Sequence, residues 1–161
     1  MRDHDQLTGL FNRTGRDARL SKILEECQEP YYCAAVMVDA DDLKMVNDTY
    51  GHENGDEYLK KIGEMLKQEA GENCILCRQG GDEFTLFYYK YEKEALIQKI
   101  EALKALQSGQ KAWLRDGLTV DLRFSMGSSM AYGAVDYDKM YREADEKMYE
   151  DKRMRKKCKC S

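Results

Sequence analysis

Residues 78–89 read RQGGDEFTLFYY. Thr85–Tyr89 has the aromatic and β-branched composition of a strand, and the apolar CILC at 74–77 predicts another strand just before it. The Gly80-Gly81 pair between them predicts a tight β-hairpin, because glycine accepts the positive φ that such turns require. Asp82 and Glu83 then stand side by side, where their charges repel. Either the hairpin tip is simply solvated, or something positive sits there.

Upstream, DQLTGLFNRTG near the start is loop-like, and a helix is predicted from Asn12 or Thr14 to Gln28, stopped by Pro30. YYCAAVMV at 31–38 is almost continuously apolar, the pattern of a strand buried on both faces. Residues 41–48 predict a short helix or turn. From His52 to Ala70 the apolar positions 58, 59, 62, 65, 66 and 70 mark an amphipathic helix closed by Gly71. After the hairpin (74–79 and 84–90), a second amphipathic helix spans Glu92 to Gln107, with 96, 97, 100, 103 and 106 on one face. Asp116-Gly117 marks a turn, Thr119–Tyr132 reads as one long strand around Gly127, and a last helix covers Tyr137 to Lys156. The order α-β-α-α-β-β-α-β-α predicts an α/β sandwich, helices covering a mostly antiparallel sheet. There is no internal repeat and no linker.

At 161 residues the chain is one domain's worth, able to bury roughly 70% of its unfolded surface. Its composition, 42% hydrophobic and 35% charged, is that of an ordinary soluble protein. No apolar run approaches the roughly 20 residues that span a bilayer, and the residues ahead of the first helix are not expected to be a signal peptide. A net charge of −4 argues against a nucleic-acid footprint over the whole surface. The basic stretch Lys152–Lys159 reads by itself as a solvated, fraying terminus. Six cysteines (27, 33, 74, 77, 158 and 160) are read as reduced thiols. Cys74 and Cys77, three apart in a strand, point to opposite faces and cannot chelate one ion.

The strand at 31–38 runs into Asp39, followed by Ala40-Asp41-Asp42. Asp41 or Asp42 can serve as the N-cap of the next helix. Asp39 has a different prospect: if the hairpin pairs with this strand, Asp82 and Glu83 come beside it. Three carboxylates would then repel strongly without a cation. Such hard oxygen ligands suit Mg²⁺, which shares its shell with substrate phosphates.

Four stretches together resemble one family, the diguanylate cyclases named for their GGDEF motif. DQLTGLFNR at 5–13 is close to D-x-L-T-G-L-x-N-R. DADDLKMVNDTYGHENGD at 39–56 resembles D-x-D-x-F-K-x-x-N-D-x-x-G-H-x-x-G-D. RQGGDEF at 78–84 and ADEKMYEDK at 144–152 complete the set. The resemblance implies a fold related to polymerase palms and class III nucleotide cyclases, a ferredoxin-like sheet of about five strands covered by helices. It implies synthesis of cyclic di-GMP and two pyrophosphates from two GTP molecules in a transient homodimer, with Mg²⁺ (or Mn²⁺) as cofactor.

Carried over by position, Asp39 and Asp82 bind metal with the Ala40 carbonyl, and Glu83 serves either the metal or activation of the 3′-hydroxyl. The N–H groups of Asp42 and Leu43 sit at a helix start where phosphate binds. Lys44 and Lys152 match phosphate-contacting lysines, Lys156 lies one turn further on the same helix face, and Arg78 has a supporting role. Asn47 and Asp56 match the guanine readers. A carboxylate accepts from guanine N1–H and the 2-amino group together, whereas adenine would leave Asp56 desolvated and unpaired.

Two departures stand out. The family's F-K is Leu43-Lys44, a mild apolar change. Many members also carry an inhibitory R-x-x-D ahead of the hairpin, where this chain has Gly71-Glu72-Asn73-Cys74, so that site is expected to be missing. Glu94-Ala95-Leu96 spells the signature of a phosphodiesterase family, but it lies in an ordinary helix without metal-binding context. The alternative to a cyclase is a catalytically silent GTP-binding or interaction module. The whole chain is expected to be a single cytoplasmic output domain of a longer signalling protein, free or membrane-anchored elsewhere, with the sensor and dimerising segment outside it.

Overall fold

The computed structural model of the chain describes residues 2–26, 30–107 and 109–159. Cys27, Gln28 and Cys160 fall outside that set, as does the side chain of Cys158. The chain order is α1 (Arg13–Glu26), β1 (Tyr32–Ala40), α2 (Leu43–Tyr50), α3 (His52–Ala70), β2 (Cys74–Gly80), β3 (Glu83–Tyr91), α4 (Lys93–Leu106), β4 (Gln110–Trp113), a 3-10 turn at Arg115–Gly117, β5 (Thr119–Leu122), β6 (Phe124–Tyr132) and α5 (Tyr137–Lys159).

The main sheet is antiparallel, in the order β2-β3-β1-β6. The expected hairpin is β2–β3: Gly80 pairs with Glu83, leaving Gly81 and Asp82 as a two-residue turn, with Gly81 at φ 52. The main sheet has four strands rather than about five, and the single strand expected over Thr119–Tyr132 is divided. β5 pairs with β4 in a separate two-stranded ribbon, whereas β6 pairs with β1. The break falls at Arg123, whose carbonyl accepts the Asp41 N–H at 2.8 Å and whose N–H meets the Tyr58 hydroxyl at 3.2 Å. These partners outside the sheet turn the chain out of it. β4 escaped sequence reading because QKAW has no strand-like alternation of apolar residues.

Period-2 alternation sorts β1 onto two cores. Ala34, Val36 and Val38 face α3 and α4, packing with Tyr58, Leu59, Ile62, Leu66, Leu96, Ile100 and Leu103. Cys33, Ala35 and Met37 face the layer of α1 and α5, with Leu20, Ile23, Met140, Ala144 and Met148. Burying a Leu or Ile fully contributes about 1.5–3 kcal/mol, so the stripe expected on 52–70 is sufficient to seat α3. The same alternation separates the two β2 thiols. Cys74 packs with the first core, while Cys77 is buried towards Arg16 of α1. Glu94 and Ala95 are exposed helix residues and Leu96 is core, as expected of an incidental tripeptide.

Gly127 sets how closely α5 approaches the sheet. A Cβ there would overlap the Ala144 carbonyl oxygen and the Met148 nitrogen. Without a side chain at 127, α5 lies directly on β6 and passes along the end of β1.

Candidate active site

β1 delivers Asp39 to the edge of the sheet, and its odd-numbered position turns the side chain to the α5 layer. Register pairs Asp39 with Glu83 on β3 and with Ser125 on β6. The Ala40 N–H donates to the Asp82 carbonyl at 2.8 Å, locking the hairpin turn against the end of β1. The structure thus brings Asp39 and the hairpin acids together.

Asp39 is only 6% exposed. Lys152 Nζ donates to its Oδ2 at 3.0 Å, whereas Oδ1 is buried with no hydrogen-bond partner. Burial, with the Asp82 carboxylate beside it, outweighs Lys152 and pushes the Asp39 pKa up to about 6. Partial burial works against the Lys152 charge, but Asp39, Asp82 and Asp41 outweigh it and hold that pKa above its usual value. Glu83 is half-buried, and burial together with Asp82 and Asp145 raises its pKa. It stands beside Asp82 while also facing Asp145 of α5.

Among the described residues, no three His, Cys, Asp or Glu side chains are grouped to hold an ion by themselves. The pair Asp39 and Asp82, with a bare buried carboxylate oxygen on Asp39, still fits a hard cation. Mg²⁺ keeps several waters or phosphate oxygens and is held by one or two carboxylates. Glu83, paired in register with Asp39, flanks these two carboxylates.

The capping expectation for Asp41 and Asp42 changes. Asp42 occupies the N-cap position of α2 in the left-handed conformation (φ 66, ψ 7) and makes no side-chain cap bond. The Asp41 carboxylate instead accepts Ser125 Oγ at 3.0 and 3.2 Å. The N–H groups of Leu43 and Lys44 thus begin a helix that no carboxylate caps, a setting suited to an anion. Lys44 is exposed, and among the described residues it forms no ion pair. Lys156 is exposed one turn beyond Lys152.

Asn47 lies at the junction between α2 and α3. Asn47 Oδ1 fills the space where a Cβ of Gly55 would lie, so Gly55 is what admits the amide. Asp56, the next residue, is exposed at the first turns of α3.

The Arg78 guanidinium is committed within the protein. It donates to Asp5 Oδ1 and Oδ2 at 3.0 and 3.2 Å, and to the Gly81 carbonyl at 3.0 and 2.8 Å. These bonds make Arg78 a clamp on the hairpin turn. Asp5 also accepts from the Thr8 N–H and hydroxyl at 2.8 and 2.7 Å, which explains why the opening motif needs both residues. Asn12 Oδ1 accepts the Gly15 N–H at 2.9 Å and caps α1.

Sequence reading missed Asp151. Its Oδ2 accepts from the Met126 N–H at 2.9 Å, Gln107 Nε2 at 2.9 Å and Arg155 Nε at 3.2 Å. One carboxylate next to Lys152 therefore fixes α5 to β6 and to the end of α4. Its only sequence signal was its position within the final motif.

A family profile described as "Diguanylate cyclase, GGDEF domain" matches residues 2–158. Diguanylate cyclase DgcN of Escherichia coli is 30% identical over 152 residues, 94% of this chain and 37% of that protein. Diguanylate cyclase DosC of Escherichia coli is 29% identical over 120 residues, 74% of this chain and 26% of that protein. The chain thus spans well under half the length of these relatives. Among solved structures, the GGDEF domain of TpbB (YfiN) from Pseudomonas aeruginosa superposes with a TM-score of 0.80 at 30% identity, covering 94% of this chain and 89% of the other. The GGDEF domain of DgcB from Caulobacter crescentus, solved in complex with c-di-GMP, has a TM-score of 0.81 at 23% identity, covering 95% and 91%, a likeness of fold.

Proposed function

The chain belongs to the GGDEF-domain family of diguanylate cyclases, and from that membership we propose that it condenses two GTP molecules into cyclic di-GMP and two pyrophosphates. Each 3′-hydroxyl loses its proton and bonds to the α-phosphorus of the other GTP. The bond to the β-phosphate breaks, and pyrophosphate leaves. The observation that carries this reading is Asp39: a buried carboxylate with one bare oxygen, beside Asp82 and Lys152 at the end of a central strand.

Asp39 and Asp82, with the Ala40 carbonyl, would hold Mg²⁺ or Mn²⁺. When bound, that ion screens the α-phosphate and lowers the pKa of the attacking hydroxyl. Asp42, Leu43 and Lys44 receive phosphate at the start of α2, while Lys152 and Lys156 bring positive charge from α5. Asn47 and Asp56 read guanine at its hydrogen-bonding edge. Glu83, whose pKa is raised, is placed to help take the hydroxyl proton or to complete the metal shell. In this reading the domain is a cytoplasmic output module whose pairing is governed by a sensor or dimerising segment, as the greater length of its relatives permits.

The test is incubation with GTP and Mg²⁺ or Mn²⁺, with nucleotides separated by chromatography. Cyclic di-GMP formed by the wild type and lost in Asp82→Asn supports the cyclase. GTP bound but not turned over at any protein concentration would instead support a silent GTP-binding module.

A further inference from the structure

We infer that Asn54 is a positioning residue for guanine recognition, pinning the α2–α3 junction to the β4–β5 ribbon. This rests on the cyclase reading above, in which Asn47 and Asp56 contact the base. Asn54 is 6% exposed, and both ends of its amide are engaged with backbone. Nδ2 donates to the Tyr50 carbonyl at 3.1 Å, and Oδ1 accepts the Arg115 N–H at 2.9 Å. The first bond satisfies a carbonyl at the C-terminal end of α2, where no further helical partner follows. The second reaches the turn between β4 and β5, 61 residues away in sequence.

The consequence lies in the neighbouring turn of α3. Gly51 (φ 90, ψ 161) is at once the C-cap of α2 and the N-cap of α3, so the two helices meet at a single flexible residue. Asn47 sits in the last turns of α2, with its amide seated on Gly55. Asp56 follows Gly55 on α3. The angle between the helices therefore sets the spacing of the two base-reading groups. The Tyr58 hydroxyl, donating to the Asp41 carbonyl at 2.6 Å, holds α3 one turn further on, and Asn54 ties the junction itself to the β4–β5 ribbon. An exposed Glu53–Arg115 ion pair at 3.1 Å spans the same gap, but pairs with both partners in solvent contribute little. The buried amide carries the tether.

The test is calorimetric binding of GDP and IDP, which differ only in the guanine 2-amino group that Asp56 would accept from. Wild-type protein should prefer GDP. Asn54→Ala should weaken GDP binding on the order of tenfold, the size of one lost buried hydrogen bond, and IDP binding less, so that the preference narrows. Arg115→Pro removes the same bond from the other side by deleting its N–H. The extended Leu114 before it (φ −98, ψ −169) tolerates a following proline. Arg115→Ala, which removes only the exposed ion pair, should match wild type. Thermal unfolding identifies any variant that fails to fold, and the partner variant then supplies the reading. A residue that merely stabilised the fold would lower the melting temperature and leave the GDP/IDP ratio unchanged, and that outcome overturns the role of Asn54. Wild-type protein that binds neither nucleotide would defeat the functional reading itself.

Discussion

Lys152 Nζ and Asp39 Oδ2 lie 3.0 Å apart across 113 residues of sequence. This pair joins the final helix to the buried end of the central strand. The lysine does not fully compensate the carboxylate, because burial and Asp82 hold the Asp39 pKa at about 6 against an ordinary 3.8. In metal-free protein the folded state thus binds its proton more tightly than the unfolded chain. The stabilisation is fully present below about pH 4 and is lost as pH rises through about 6.

Asp39→Asn removes that penalty. In EDTA at about pH 7.5 the variant should be more stable than wild type by on the order of 2–3 kcal/mol, and the difference should vanish near pH 4. Urea unfolding at both pH values measures it. A stability difference independent of pH would show that Asp39 is not the strained carboxylate. The same variant should make no cyclic di-GMP.

Gly127→Ala tests the seat of α5. The added methyl meets the Ala144 carbonyl oxygen and the Met148 nitrogen, which are backbone and cannot rotate aside. Overpacking of this kind costs about 1–3 kcal/mol. Because Lys152 rides on the same helix, turnover should fall even where the protein remains folded. Unaltered turnover in a folded variant would separate the position of α5 from catalysis.

Arg78→Lys should not replace Arg78. A guanidinium can reach the Asp5 carboxylate and the Gly81 carbonyl together, whereas an ammonium is a point charge without that fork. Both Arg78→Lys and Arg78→Ala should lose about 1–3 kcal/mol of stability and loosen the turn that holds Asp82. Nuclear magnetic resonance of the Gly81 and Asp82 amides would register the loosening. A lysine variant indistinguishable from wild type would refute the clamp.

Product feedback should be weak. Where the inhibitory motif would supply Arg and Asp, Gly71 ends α3 and Cys74 packs into the core, with burial pushing its thiol up to about 12. Neither offers the charge that motif would use. Calorimetry with cyclic di-GMP, the active site blocked by a non-hydrolysable GTP analogue, should show no submicromolar binding that depends on residues 71–74.

Much of this was legible in the sequence because it is written in local periodicities. The continuous apolar run at 31–38 placed Asp39 at the end of a buried strand, and the Gly-Gly pair placed the hairpin. The α3 stripe at 58, 59, 62, 65, 66 and 70 is buried throughout. The misses involve partners distant in the chain. Nothing near Arg123 announces that Tyr58 and Asp41 interrupt the strand there. Asp41 resembles a cap until Ser125 is seen beside it, and nothing near Arg78 announces that Asp5 lies in its grip. A polar residue's sequence reports its chemistry, while its partner is chosen by the fold.

Catalysis should depend on protein concentration. One domain carries one pair of proposed base readers, Asn47 and Asp56, and one acidic pair, Asp39 and Asp82. The proposed reaction needs two GTP molecules, each 3′-hydroxyl aimed at the other's α-phosphate. A single site cannot present both, so two domains must meet with their hairpins opposed about a two-fold axis. Association costs roughly 4–15 kcal/mol of translational and rotational freedom, and two acidic sites repel each other until cation and nucleotide fill them. The sequence holds no heptad repeat that would offset this cost. The isolated domain should therefore be mainly monomeric and slow, with specific activity rising as protein concentration rises. Fusing a parallel coiled coil ahead of Asp5 should raise that activity and flatten its dependence on concentration. Specific activity that is constant over a hundredfold dilution, in protein that light scattering shows to be monomeric, would rule out a site shared between two domains.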